Sequence, residues 1–374
     1  MNNVRLLAVY LPQYHPIPEN DDNWGKGFTE WTNVAKAKPL FRGHYQPKIP
    51  ADLGFYDLRL PIIREQQAEL ARDAGIEGFC YWHYWLGNGK QLLQMPFNEV
   101  VKTGKPDFPF CLAWANHSWT NKTWNNTQAM KSRKCVIAEQ KYLGYNDYEL
   151  HFKTVLPALK DKRYIRVDNK PIFFIFDPNH AELKEFINTW RELALKNGLE
   201  GIHFVAMLNT ASLRSNSTIQ ERIEKVYSLG FDAINTVGNT KAEIECGKLK
   251  RYINTFLSKF LNINIVTKYD QREINKHMFS EEDKQENVYP TIMPNWDRSP
   301  RVGKKGAIYI NSTPAVFEEQ VNEAIKLVKN KNDEHKIIVI RSWNEWGEGN
   351  YLEPCIKYHH GYLDAIKKAL LHNK

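Results

Sequence analysis

A chain of 374 residues with 42% hydrophobic and 25% charged residues has a globular composition and room for an α/β barrel of about 250 residues with long loops. The formal charge of +8 comes without a long like-charge block or a nucleic-acid-binding motif, which excludes a nucleic-acid module; it leaves a solvated basic face or contact with an anionic membrane. Five cysteines (Cys80, Cys111, Cys135, Cys246, Cys355), odd in number and without a Cys-x-x-Cys pair, exclude a disulfide scaffold and a zinc ribbon and point to a reducing compartment.

The first apolar run, Arg5–Leu11, is too short for a signal-peptide core, and no stretch reaches the ~20 apolar residues of a membrane span. The expected location is the cytoplasm, with the inner membrane face as the site of any lipid contact. The run leads into Pro12-Gln13-Tyr14-His15-Pro16, which lacks the glycines of a dinucleotide-binding turn. A long loop follows to about Asp57 and carries Trp24-Gly25-Lys26-Gly27-Phe28-Thr29-Glu30-Trp31; loops of this length are usually functional.

Seven further strand-like runs follow: Ile76–His83, Phe108–Ala115, Pro171–Phe176, Gly201–Leu208, Phe231–Thr236, Val288–Pro294 and Lys336–Ser342. Most are continuously apolar, as parallel strands covered on both faces are. Three helices between them are legible. One carries Leu60, Ile63, Leu70, Ala71 and Ala74 and stops at Gly75; one carries Leu183, Phe186, Ile187, Trp190, Leu193 and Ala194 and ends near Gly198. The third starts with Thr313 as cap and Pro314 at its first position. The region 242–286 resists assignment. Eight alternating strands predict an α/β fold, one (β/α)₈ TIM-type barrel domain over residues 1–374 with long βα loops.

In such a barrel the functional groups gather at the C-terminal strand ends. Those ends read Gln13-Tyr14-His15, Tyr81-Trp82-His83-Tyr84-Trp85, Trp114-Ala115-Asn116-His117, Asp177, Asn209, Asn235, Asn295-Trp296-Asp297 and Trp343-Asn344-Glu345-Trp346. The most informative is Arg341-Ser342-Trp343-Asn344-Glu345-Trp346-Gly347-Glu348-Gly349. Two carboxylates three residues apart in a glycine-containing turn face the same way, as glycoside chemistry requires of an acid and its partner. A solvated pair at a helix start is the plain alternative.

Aromatic faces pack on sugar rings, so Tyr81, Trp82, Tyr84 and Trp85 after the second strand, and Trp114, Trp119 and Trp124 after the third, are candidates for sugar contact; a rim packed under its own loops is the competing reading. His15, His83 and His117 end separate strands without metal-ligand spacing, so hydrogen bonds to hydroxyls are expected of them, with no metal and no cofactor. Glu30 and Trp31 join the candidate ligands, with a structural carboxylate an equal reading of Glu30. Asn116, Trp296, Asn344 and Tyr14 complete the expected substrate-binding set with Trp343 and Trp346, and Arg298 offers an anion contact. The chain lacks a phosphate-binding loop, a nucleophile elbow and an Asp-x-Asp pair.

Taken together, Ala8–Pro16, Gly27-Phe28-Thr29-Glu30-Trp31, Gly78–Trp85, Ala113-Trp114-Ala115-Asn116 and Trp343–Gly349 resemble the WbsX-like family, which is related to glycoside hydrolase family 99. The resemblance covers most of the chain and implies a (β/α)₈ fold and a role in bacterial surface-polysaccharide assembly, such as lipopolysaccharide O-antigen or capsule. The hydrolase relatives are retaining endo-acting enzymes on α-mannosides. Their route implies that Glu345 deprotonates the sugar 2-hydroxyl to give a 1,2-anhydro sugar, while Glu348 acts as acid and then base. Arg341 departs from the small or apolar residue expected before the motif.

These readings converge on a retaining glycosyl-transferring enzyme acting on an oligosaccharide or glycolipid. An endo-acting α-glycosidase on the same site, and a carbohydrate-binding protein without catalysis, are the alternatives.

Overall fold

The computed structural model describes residues 4–120, 136–211, 217–261 and 265–373. Trp124 and Cys135 lie outside them. Eight parallel strands, β1 (Arg5–Tyr10), β2 (Gly78–Trp85), β3 (Phe110–Trp114), β4 (Lys170–Ile175), β5 (His203–Asn209), β6 (Ala233–Val237), β7 (Val288–Ile292) and β8 (Ile337–Ile340), form one continuous sheet. The sheet closes because β1 pairs with both β8 (Arg5↔Ile337) and β2 (Leu7↔Gly78). This is the (β/α)₈ barrel that the alternation predicts. Its strands read as apolar runs because helices cover the outside while side chains fill the inside; all of Ile337–Ile340 is buried.

The helix signals act as expected. The helix Pro61–Asp73 ends in a Schellman motif: Gly75, at φ 85°, donates to Arg72 O, and Ile76 donates to Ala71 O at 3.0 Å. Ile76 therefore belongs to the cap, which is why β2 begins two residues later than the apolar run. The helix Leu183–Lys196 closes the same way, with Gly198 at φ 78° and Leu199 donating to Ala194 O. Thr313 Oγ1 accepts from Val316 N at the start of Pro314–Val328.

Strand alternation sorts the aromatic run on β2. Successive side chains point to opposite faces. Tyr81, His83 and Trp85 face outward: Tyr81 packs on Tyr10 and Phe97, and Trp85 stacks on His151 at 4.5 Å. Trp82 and Tyr84 face the barrel axis. Trp114, beside His83 in register, also points outward, against Phe186 and His151.

The region left unassigned contains most of the helix Asn239–Phe260 and a short strand, Thr267–Asp270, which pairs in parallel with Ala307–Ile310 outside the barrel. This two-stranded ribbon grips the loop after β7: Tyr309 N donates to Trp296 O at 2.8 Å and Arg298 N to Ala307 O at 3.3 Å. Four-residue strands carry too little pattern to be read in sequence. Among the described residues no helix is long and apolar enough to cross a membrane.

Candidate active site

A cavity of about 680 Å³ opens at the C-terminal ends of the strands. Glu345 and Glu348 line it with Trp82, Tyr84, Trp119, Trp296 and four arginines, Arg222, Arg298, Arg301 and Arg341. Its size and its mixed aromatic and polar wall suit a small ligand or a short stretch of glycan.

Arg301 organises the acidic end. It comes from a single helical turn, Ser299–Val302, and its side chain is 7% exposed. Its Nη1 lies 3.1 Å from Glu345 Oε1 and 2.8 Å from Glu348 Oε1; its Nε donates to Glu30 Oε1 at 2.9 Å. Arg298 Nε adds a second cation 3.1 Å from Glu348 Oε1. The two acids respond oppositely. Burial, reinforced by the charge of Glu348, pushes Glu345 up to about 7 against the pull of Arg301 and Arg341. Burial acts on Glu348 too, but Arg301, Arg298 and Arg341 outweigh it and hold this carboxyl below its ordinary value. Burial and the Glu345 charge both keep the Tyr84 hydroxyl protonated.

The turn bearing the acids is held from beneath. Asn344-Glu345 pairs antiparallel with Asn350-Tyr351, and a 3₁₀ turn, Trp346–Glu348, lies between them. Gly349 takes φ 58°, a left-handed conformation that glycine adopts without penalty. Gly347 is glycine for a different reason: a Cβ there would overlap the Glu30 carboxylate. Beneath the turn, Glu353 accepts from Trp343 Nε1 (2.9 Å), Trp346 Nε1 (2.6 Å), Gln67 Nε2 (2.6 Å) and Tyr56 OH (2.9 Å). Burial pushes its carboxyl up to about 7 despite these four donors. Asp297 N donates to Glu348 O at 2.7 Å, and the Asp297 carboxylate accepts from Gln46 Nε2 at 2.6 Å and pairs with His44.

Of the expected site residues, the structure brings Glu345, Glu348, Trp82, His117 and Trp296 to the cavity wall. The others need correction as cavity residues, each for a stated reason. Tyr14 is fully buried, with its hydroxyl between Asn344 O and Trp346 N. Asn344 clamps the chain after β1, accepting from Leu11 N and donating to Leu11 O. Trp343 and Trp346 are fully buried on Glu353, and Trp346 stacks on Tyr351 at 3.7 Å. Glu30 is fully buried behind Gly347 as the third acid on Arg301, and Trp31 packs between Tyr14, Tyr56 and Trp346. Tyr81, Trp85 and Trp114 are on the outer barrel face. His83 is there too, with Nε2 2.8 Å from His151 Nε2 and its pKa lowered to about 3 by burial. Asn116 ties strand ends together through Asp177 N, Asp177 O and Tyr142 OH. His15 is buried off the cavity, so the three histidines do not converge.

Tyr84 and Trp119, named within the aromatic clusters, do reach the wall. Arg222 and Arg301 were not anticipated. Alternation along β2 signals Tyr84; nothing local marks which arginine of a helix or helical turn will reach the cavity.

The family model described as "Glycosyltransferase WbsX" matches residues 6–366. The chain belongs to the WbsX glycosyltransferase family. The family is one of carbohydrate-active enzymes, which agrees with an aromatic cavity bearing paired acids. The chain is also 34% identical over 370 residues to the protein called "Uncharacterized protein WxcX" in two strains of Xanthomonas campestris pv. campestris, B100 and ATCC 33913. The alignment covers 98% of this chain and 49% of those proteins, so the chain spans about half the length of the curated relatives it matches. Among solved structures, a "Glycoside hydrolase-like protein" superposes with a TM-score of 0.60 at 13% identity, covering 99% of this chain and 94% of that one. A GH99 endo-alpha-mannosidase from Bacteroides thetaiotaomicron superposes with a TM-score of 0.57 at 14% identity, covering 100% of this chain and 97% of that one. At these identities the likeness is one of fold, and this chain shares the barrel of both.

The contact between Gly347 and Glu30 predicts that Gly347→Ala displaces the Glu30 carboxylate from Arg301. The expected outcome in chemical denaturation is a loss of about 1–3 kcal/mol, the usual scale of overpacking. An unchanged midpoint would show that the turn yields freely.

Proposed function

We propose that this chain is a retaining carbohydrate-active enzyme of surface-polysaccharide assembly, of lipopolysaccharide O-antigen or capsule type, which transfers a glycosyl unit through Glu345 and Glu348. One observation carries the reading: both carboxylates meet the same Arg301 nitrogen at the wall of one open, aromatic-lined cavity. Sharing that nitrogen at 3.1 and 2.8 Å puts the two Oε1 atoms within about 6 Å of each other, close enough to act on one sugar ring.

The opposite shifts of the two acids favour a division of labour. Near neutral pH Glu345, raised to about 7, is about half protonated, and Glu348, held below its ordinary value, is ionised. Glu345 then protonates the leaving oxygen as the C1–O bond breaks. Glu348 takes the proton from the 2-hydroxyl, whose oxygen closes on C1 to give a 1,2-anhydro sugar. An acceptor hydroxyl then attacks C1 and gives its proton to Glu345, while the C1–O2 bond breaks and Glu348 returns its proton to O2, restoring the 2-hydroxyl and both acids. Two inversions at C1 give net retention. Tyr84, protonated and close to Glu345, is placed to steady that proton. The family resemblance implies the reverse assignment, and pH dependence separates the two. With Glu345 as the acid, kcat/KM falls as pH rises through about 7; with Glu345 as the base, it rises there.

An endo-acting α-glycosidase is the second reading, supported by the shared fold with the endo-alpha-mannosidase. Incubation with lipid-linked or free oligosaccharides distinguishes them: products released by water alone, with no dependence on an acceptor, would exclude the transferase. For either enzyme, Glu345→Gln and Glu348→Gln are each expected to cost at least ~100-fold in rate with thermal unfolding unchanged. Full biological activity in Glu348→Gln would instead favour a carbohydrate-binding protein.

We place the enzyme at the inner face of the membrane, where a glycolipid substrate would be presented. Supporting this, Tyr252, Phe256, Phe260 and Leu261 in and after the helix Asn239–Phe260 are 48–71% exposed, and the sequence from Cys246 to Tyr269 contains lysines and an arginine but no acid. Sedimentation with vesicles is expected to be strong for phosphatidylglycerol, weak for phosphatidylcholine, and reduced by Phe256→Ser with Phe260→Ser. Equal sedimentation with both lipids would refute the contact.

A further inference from the structure

We propose that the substrate carries an oxyanion into this cavity and that Arg341, Arg298 and Arg222 receive it. The inference rests on reading the cavity as a glycan site and deepens it by giving the substrate a charge.

Four arginines reach one wall system from separate places. Arg222 lies on the helix Ile219–Ser228 after β5, Arg298 and Arg301 follow β7, and Arg341 follows β8. They are not equally neutralised. Arg301 is saturated by Glu30, Glu345 and Glu348. Arg298 meets Glu348 through Nε. Among the described residues, Arg341 has no ion-paired carboxylate; its guanidinium lies 6.0 Å from the centre of the Trp296 ring. Arg222 has none either. Its Nη2 donates to Asn209 O, and its Nη1 is buried without a hydrogen-bond partner among the described residues.

A partly buried guanidinium without a counter-anion is unfavourable, and several sharing one cavity repel each other. Such an arrangement persists where an incoming group supplies the charge. The planar fork of arginine matches carboxylate and phosphate oxygens two at a time, whereas neutral sugar hydroxyls are served as well by Asn, Asp or Trp, which this wall also supplies. Tuning of the acids is a competing role for Arg341, because it draws both Glu345 and Glu348 downward. That role does not account for Arg222. Arg222 follows β5, three strands round the barrel from β8, and is not among the largest influences on either acid.

Two kinds of sugar derivative present this chemistry: an acidic sugar with a ring carboxylate, and a glycosyl phosphate or diphosphate. Binding is measured by the fluorescence of the cavity tryptophans (Trp82, Trp119 and Trp296) with methyl glucuronide, methyl phosphate, pyrophosphate and neutral methyl glucoside as probes. At least one anionic probe is expected to bind ~10-fold or more tightly than the glucoside and to weaken as salt rises. Preference for the phosphates identifies a phosphorylated donor; preference for the glucuronide identifies an acidic sugar.

Arg341→Gln and Arg222→Gln are each expected to lower anion affinity ~10-fold while leaving glucoside affinity unchanged, and Arg341→Lys to restore part of the loss. Circular dichroism melts check that each variant is folded. A loss in either folded variant supports the proposal. It is overturned if the glucoside binds as tightly as every anion, or if anion affinity is unchanged in both variants. The same titrations in Glu345→Gln separate the two readings. Turnover of a glycan without anion preference removes this inference alone; arginine-dependent anion binding without turnover of any glycan removes the enzymatic reading alone.

Discussion

One buried guanidinium must satisfy three carboxylates, and the candidate site is built around that constraint. Arg301 draws Glu30 from the first βα loop and Glu345 and Glu348 from the last, joining parts of the chain some 300 residues apart at a single point. A cation buried this deeply is tolerable only because acids surround it, and the acids are tolerable only because of the cation. The balance is uneven. Three acids share one fully committed arginine, and Glu345, to which Arg301 is the only paired cation among the described residues, is the one pushed up to about 7. Glu348, with Arg298 as well, stays ionised. The same cluster therefore holds the loops together and sets the protonation of the pair.

A second network keeps that cluster in place. Glu353 gathers the indole N–H groups of Trp343 and Trp346, and Asn344 substitutes for a strand residue by bonding both backbone groups of Leu11. The aromatic residues that make the C-terminal motif conspicuous are thus mostly its foundations. Their bulk supports a two-glycine turn that would otherwise be free to move, and their polar edges are consumed by a buried carboxylate. The surface offered to a ligand is drawn from elsewhere: Trp82 and Tyr84 on β2, Trp119, Trp296, and the arginines.

The barrel was legible because continuous apolar runs and glycine-terminated helices are local signals, and all eight strands and three helices lie where those signals put them. Departures are small and have local causes, as where Ile76 completes a helix cap and leaves the strand to begin at Gly78. The aromatic run Tyr81–Trp85 shows what was legible yet passed over. A period of two assigns Trp82 and Tyr84 to one face and Tyr81, His83 and Trp85 to the other. Composition alone leaves sugar contact and a packed rim both open for this run; the alternation resolves them, with Trp82 and Tyr84 on the cavity wall and the other three packed outside the barrel.

From sequence alone came the fold, the end of the barrel that carries chemistry, and the presence of an acidic pair at positions 345 and 348, because each depends on spacing along a strand or within a turn. Tertiary structure alone decided in which direction each acid is shifted, which aromatics see the cavity and which cations line it. Those properties arise from charges and rings brought together across hundreds of residues: Arg301 owes its three partners, and Arg222 and Arg341 their shared cavity, to closure of the barrel, and no local pattern encodes a meeting of that kind.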